Sequence, residues 1–100
     1  MARRAAKTDK NQVEIVQALR CAGATVTPTH AAGSGFPDLV VGFRGVNYLI
    51  EVKDGRKAPS KRKLTPDQVE WHGSWRGQVA VVKNITEALA VIGAIKQGTD

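Results

Sequence analysis

With 100 residues and 42% hydrophobic content, the chain can build one domain around one core, and its 5% of aromatic residues makes that core mostly aliphatic. A single cysteine, Cys21, excludes an internal disulfide and a thiolate zinc site, and the absence of any apolar run near the ~20 residues of a membrane span argues for a soluble protein. A formal net charge of +6 favours a polyanionic partner.

Residues 1–8 read as a flexible basic arm, followed by a single domain over residues 9–98. Asp9 with Gln12 three positions later resembles a capping box and predicts a helix start. The helix then runs through "NQVEIVQALRCAG", with Val13, Val16, Leu19 and, less tidily, Ile15 on its apolar side. Cys21 falls in this pattern as a small buried side chain, and Gly23 is placed to end the helix. "ATVTPTH" is rich in β-branched residues, and Pro28 makes it an edge or irregular strand. After the glycine-containing loop "AAGSGF" come two short strands, "PDLVVGF" and "NYLIEVK", joined around Gly45 as an antiparallel hairpin.

"DGRKAPSKRKL" is a long, basic loop with turn chemistry at Asp54 and Gly55. Thr65 caps a helix that begins at Pro66 and carries Trp71 and Trp75 on one face. "QVAVVK" is a nearly all-apolar run, as for a buried parallel strand. "NITEALAVIGAIK" closes the chain as a helix capped by Asn84 or Thr86. The predicted order is α-β-β-β-α-β-α, a mixed sheet flanked by helices, with the tryptophan helix as the crossover between parallel strands.

Chemistry concentrates in residues 35–53. Side chains alternate along a strand, so Glu51 and Lys53 share a face, and Asp38 can reach that face from the neighbouring strand. Two converging carboxylates repel unless a cation lies between them. Hard oxygen donors suit Mg²⁺ or Mn²⁺, and the Val52 backbone carbonyl offers a further oxygen. A metal-bound water can serve as nucleophile, with Lys53 orienting it or stabilising charge on a phosphate oxygen. The pattern suits metal-assisted phosphodiester hydrolysis. It also fits an ordinary half-exposed strand, on which Glu and Lys alternate. Arg56, Lys57, Lys61, Arg62 and Lys63 either bind phosphates or keep a loop solvated, and Arg44 at the hairpin tip, Arg3, Arg4 and Ser34 are weaker cases. Trp71 and Trp75 either stack on unpaired bases or pack against the sheet or a second subunit. His30 and His72 lack metal-ligand spacing and read as structural or exposed.

"GSGFPDLVV", "YLIEVK", the basic loop and "LTPDQVEWHGSWRGQVAVV" together resemble the VRR-Nuc branch of the PD-(D/E)XK nuclease superfamily. The resemblance spans nearly the whole chain, from the first helix to the last. It implies a restriction-endonuclease-like α/β core. It also implies Asp38 and Glu51 as metal ligands, Lys53 as the catalytic lysine and Gln68 as a supporting active-site residue. The branch tends to use a glutamate on the first helix, for which Glu14 is the candidate as ligand or catalytic residue; an exposed surface glutamate fits equally. Stand-alone proteins of this size resemble virus-encoded or bacterial enzymes, some acting on four-way junctions. The expected protein is therefore a cytoplasmic Mg²⁺- or Mn²⁺-dependent DNA endonuclease, in a virus-infected bacterial host if virus-encoded. A junction has two strands to cut, so a homodimer is expected, with Val91, Ile92 and Ile95 and the tryptophan helix as contacts. The alternatives are a non-catalytic nucleic-acid-binding module of this fold, a nuclease for flap, duplex or single-stranded DNA, and a regulatory protein whose basic loop meets an acidic partner.

Overall fold

The computed structural model of the chain describes residues 9–96; the expected arm at 1–8, with Arg3 and Arg4, and residues 97–98 lie outside the described residues. The elements follow in the expected order: α1 (Lys10–Cys21), β1 (Thr25–Pro28), β2 (Leu39–Phe43), β3 (Val46–Val52), α2 (Pro66–Ser74), β4 (Ala80–Val82) and α3 (Ile85–Val91). Short 3-10 turns at His30–Ala32 and Pro59–Lys61 were not expected. The sheet order is β1-β2-β3-β4, antiparallel except for the parallel β3–β4 pair that the α2 crossover permits. β1, with Pro28, is an edge strand as its proline demands. Among the described residues no helix is long and apolar enough to cross a membrane.

The sheet's inner face supplies Val26, Leu39, Val41, Phe43, Ile50, Val52 and Val82, and Ile15, Leu19, Ala88 and Ile92 of α1 and α3 cover it. Each large aliphatic side chain buried there contributes about 1.5–3 kcal/mol. The buried stripe of α1 is Asn11, Gln12, Ile15, Val16 and Leu19, whereas Val13 is 45% exposed. The stripe is thus centred on Ile15 and Leu19, and two amides fill its first turn because they have polar partners at the sheet's end. Cys21 is exposed rather than buried, two residues beyond Leu19 and so on the far side of α1. Ile92 is buried in the core and Val91 packs against it, leaving only Ile95 (40% exposed) of the stripe expected at a subunit contact. β4 is an edge strand rather than a fully buried one, since only Val82 is enclosed and Val81 faces outward.

The hairpin turn consists of two residues, Arg44 and Gly45, with φ of 52° and 80°. Two successive left-handed residues match the twist of the strands they join, as in a type I′ turn. This turn pairs Phe43 with Val46 and carries the register down to Leu39 opposite Ile50. Continued by one step, the register sets Asp38 opposite Glu51.

Caps divide in an informative way. Thr65 caps α2 through a complete capping box, accepting from the Gln68 backbone while the Gln68 side chain accepts from the Thr65 N–H. Asn84, not Thr86, caps α3. Asp9 occupies the N-cap position of α1 but makes no side-chain capping bond.

The loop before Asp38 is fixed by Gly35, whose φ is 84°. A Cβ at this position would overlap the Asp67 carbonyl and stand 3.0 Å from the Gln68 nitrogen. The close approach lets Phe36 meet Trp71 edge-on at 5.3 Å, and Trp71 in turn stacks on Trp75 at 4.6 Å. Gly35 therefore serves loop-to-helix packing. Gly35→Ala is expected to cost about 2 kcal/mol or more, the left-handed strain plus the collision. Chemical denaturation would show it as a lowered midpoint with an unchanged slope.

Candidate active site

At the C-terminal end of β3 the outer face of the sheet carries Asp38, Glu51 and Lys53 on the wall of one cavity of about 270 Å³, with Gln68 of α2. Glu51 is only 1% exposed. Its Oε2 accepts from Gln68 Nε2 at 2.9 Å and lies 3.6 Å from Lys53 Nζ. Lys53 Nζ donates to Gln68 Oε1 at 2.8 Å, and that oxygen also accepts the Thr65 N–H at 2.9 Å. Gln68 thus starts α2 and binds both Glu51 and Lys53. On the other side, Asp38 Oδ2 accepts the Val52 N–H at 2.9 Å, continuing the ladder past its last backbone pair. Val52 lines the same cavity.

The two carboxyl groups are close enough for one to hydrogen-bond the other when a proton is present. Burial, then the charge and hydrogen bond of Asp38, push the Glu51 carboxyl up to about 8, against the opposing pull of Lys53. Glu51 Oε1 is buried without a hydrogen-bond partner. A buried orphan acceptor facing a second acid is a natural place for a cation. Among the described residues no three His, Cys, Asp or Glu side chains form a metal-binding group. The donor set on offer is two carboxylates with a backbone oxygen and water, which fits Mg²⁺ or Mn²⁺ because Mg²⁺ usually retains several waters.

Behind the cavity, Asn11 is 5% exposed, and its Nδ2 donates to the Lys53 carbonyl at 2.9 Å and the Lys83 carbonyl at 3.4 Å. It ties the ends of the parallel strands to α1. Gln12 and Asp9, placed as a capping pair by their spacing, line the cavity instead. His30 also lines it. Asn11, Gln12 and His30 were missed in the sequence. The two amides left a trace as polar residues continuing the apolar stripe of α1. His30 left none, because the 3-10 turn that carries it follows an irregular strand.

The basic loop separates into distinct roles. Lys57 and Lys61 line the cavity. Arg56 is engaged by Asp54 at 3.0 and 3.3 Å and lies 3.9 Å from Glu14. Its hydrogen bonds hold the Asp54 carboxyl below its usual range. Arg62 donates to the Lys57 carbonyl at 2.9 Å and shapes the loop. Glu14 faces a separate groove with Arg56, and the structure does not bring it to Asp38 and Glu51: it follows Gln12 by two residues, about 200° around α1, and so turns aside from the cavity that Gln12 lines. Lys63 and Ser34 are exposed and outside the cavity wall, and Arg44 sits at the opposite end of β2 from Asp38, its guanidinium 4.7 Å from the centre of the Phe43 ring. His72 is half-buried behind the site, where burial and then the Lys53 charge hold its imidazole below the usual range.

No family model matches the sequence, and no curated protein matches it either. A solved structure described as "VRR_NUC domain" does match, with a TM-score of 0.61 and 28% sequence identity over 83% of this chain and 90% of that one. The sheet and its flanking helices thus define a nuclease-type α/β fold. More narrowly, the chain has a VRR-Nuc family fold.

The raised Glu51 pKa fixes the direction of a pH effect. The folded state holds a proton to about 8, whereas an unfolded glutamate releases it near 4.5. Without metal, this contribution to stability is full below about 4.5 and is lost as pH rises through 8. In EDTA the melting temperature should therefore fall across that window more steeply for the parent than for Glu51→Gln. Parallel curves would refute a proton held by Glu51.

Proposed function

We propose that this protein is a metal-dependent DNA endonuclease in which Asp38 and Glu51 hold a divalent cation and Lys53 is the catalytic lysine. The observation that carries this reading is the convergence of the two opposed carboxyls with Lys53 and Gln68 in one open cavity flanked by Lys57 and Lys61. When bound, Mg²⁺ or Mn²⁺ supplies Lewis-acid polarisation of the phosphodiester and a more acidic water. The chain's own residues do the rest. Lys53 lends positive charge to a phosphate oxygen or steers the attacking water. Gln68 holds Lys53 and Glu51 in fixed relation, so neither must be ordered at the moment of reaction. Lys57 and Lys61 bind the flanking phosphates, displacing counterions.

A branched or four-way-junction substrate is the narrower form of the proposal. It goes with a twofold dimer presenting two cavities to a twofold substrate. Residues 9–98 would suffice as the nuclease domain, with the arm at 1–8 adding basic contacts. The exposed Val69 and Trp75 of α2, with Val81 of β4, are the apolar residues that support pairing through the outer face.

Labelled junction, flap, duplex and single-stranded DNA should be offered with Mg²⁺, with Mn²⁺ and with EDTA. Cutting is expected with either metal, none with EDTA, and a loss of at least about 100-fold for Asp38→Ala, as for removal of a principal electrostatic group. Asp38→Ala should still bind DNA, because binding rests on lysines. Lys57→Ala and Lys61→Ala should each lower the salt-dependence slope by about 1. Cutting by Asp38→Ala at the parental rate would end the catalytic reading. Equal cutting of junction and duplex, or a single-chain mass in solution, would remove the junction and dimer refinements respectively.

A further inference from the structure

We propose that His30 is a substrate contact of this site, donating from Nε2 to a phosphate oxygen of the DNA; the inference rests on the nuclease reading above. His30 lies on the cavity wall with Asp38, Glu51 and Lys53. Its position is coupled to Asp38, because the preceding residue is bonded twice to the segment that carries that acid. The Thr29 N–H donates to the Asp38 carbonyl at 2.6 Å, and Thr29 Oγ1 donates to the Pro37 carbonyl at 2.8 Å.

The ring has no role in folding that its hydrogen bonds reveal. Nδ1 is buried and has no partner among the described residues. Such an atom in a half-buried imidazole calls for an explanation other than stability. It also bears on the proposed tautomer. A proton on Nδ1 would be a buried donor with no acceptor, whereas a proton on Nε2 can meet water or a ligand. Nε2 is not among the buried unpartnered atoms and is the nitrogen left to offer an N–H; His30 borders this cavity and also a neighbouring one lined by Gln12, Val16 and Arg20.

The donors bonded to the acids are already committed, which leaves His30 with Gln12, Lys57 and Lys61 on the cavity wall. Lys53 is shared between Gln68 and Glu51, the Gln68 amide is given to Glu51, and the Val52 N–H is given to Asp38. A phosphate drawn towards two carboxylates needs donors without a competing acceptor, and His30 is one. Among the described residues it joins no metal-binding group with the two acids. Its partner is thus the phosphate rather than the cation.

Gln can place an N–H near the Nε2 position of His, and Asn near Nδ1, so the two variants separate the nitrogens. With the full chain and Mg²⁺, His30→Ala and His30→Asn should each lose about 10- to 100-fold in kcat/KM, the worth of one hydrogen bond to a charged group. His30→Gln should cut near the parental rate, and all three should melt close to the parent. In EDTA, ¹⁵N spectra of the parent should show His30 protonated on Nε2 and shifted when a short DNA duplex is added. Parental cutting by His30→Ala, rescue by Asn instead of Gln, an Nδ1-protonated ring, or a resonance unmoved by duplex would each overturn the proposal. If the parent cuts no DNA, the nuclease reading falls, and the duplex-induced shift alone still decides whether His30 touches a phosphate.

Discussion

Two acids face each other across β2 and β3 because a two-residue turn lies five steps away. Arg44 and Gly45 both take left-handed backbone conformations, which closes the hairpin with Phe43 against Val46. Every later pairing follows from that closure, and the last one brings Asp38 level with Glu51. Like charges in contact near a protein surface repel by about 4 kcal/mol. The fold contains this repulsion in two ways. Asp38 is held by the Val52 N–H, and Glu51 retains a proton until about 8 while Gln68 and Lys53 brace its other oxygen. The strain of the site is therefore electrostatic and local, and the aliphatic inner face of the hairpin keeps it from being relieved by movement of the strands.

Much of this was legible in the chain. Strand periodicity placed Glu51 and Lys53 on one face, and proline and glycine marked the edge strand and the turns. The element order followed from the switch between periods of 2 and 3.6. Register was a different matter. Gly45 signalled a turn, but not that it consists of only two residues. A slip of one residue in such a hairpin sends Asp38 to the core side. Only the paired backbone resolves that choice.

Where the reading missed, a polar residue had taken a place reserved for an apolar one, or the reverse. Asn11 and Gln12 occupy the buried stripe of α1 because the ends of β3 and β4 present carbonyls and a cavity to that turn. Val13 is displaced outward by the same rotation, and Glu14 turns to Arg56 rather than to the acids. Asp9 and Gln12 have the spacing of a cap and the location of site residues. Long-range contacts of this kind, made across 42 or 72 positions, leave little in the local pattern. The basic loop was correctly read as cationic, yet two of its five positive charges are spent on shaping the loop itself.

Gln68 has a consequence that reaches beyond geometry. Its side-chain oxygen receives both the N–H of Thr65, the residue that caps α2, and the Lys53 ammonium. Fraying of that first turn would take one of two acceptors from Lys53, whose ammonium also lies 3.6 Å from Glu51. Displacement of the start of α2 reaches Lys53 through a single shared atom. The winding of that turn and the position of Lys53 are thus tied to the same oxygen.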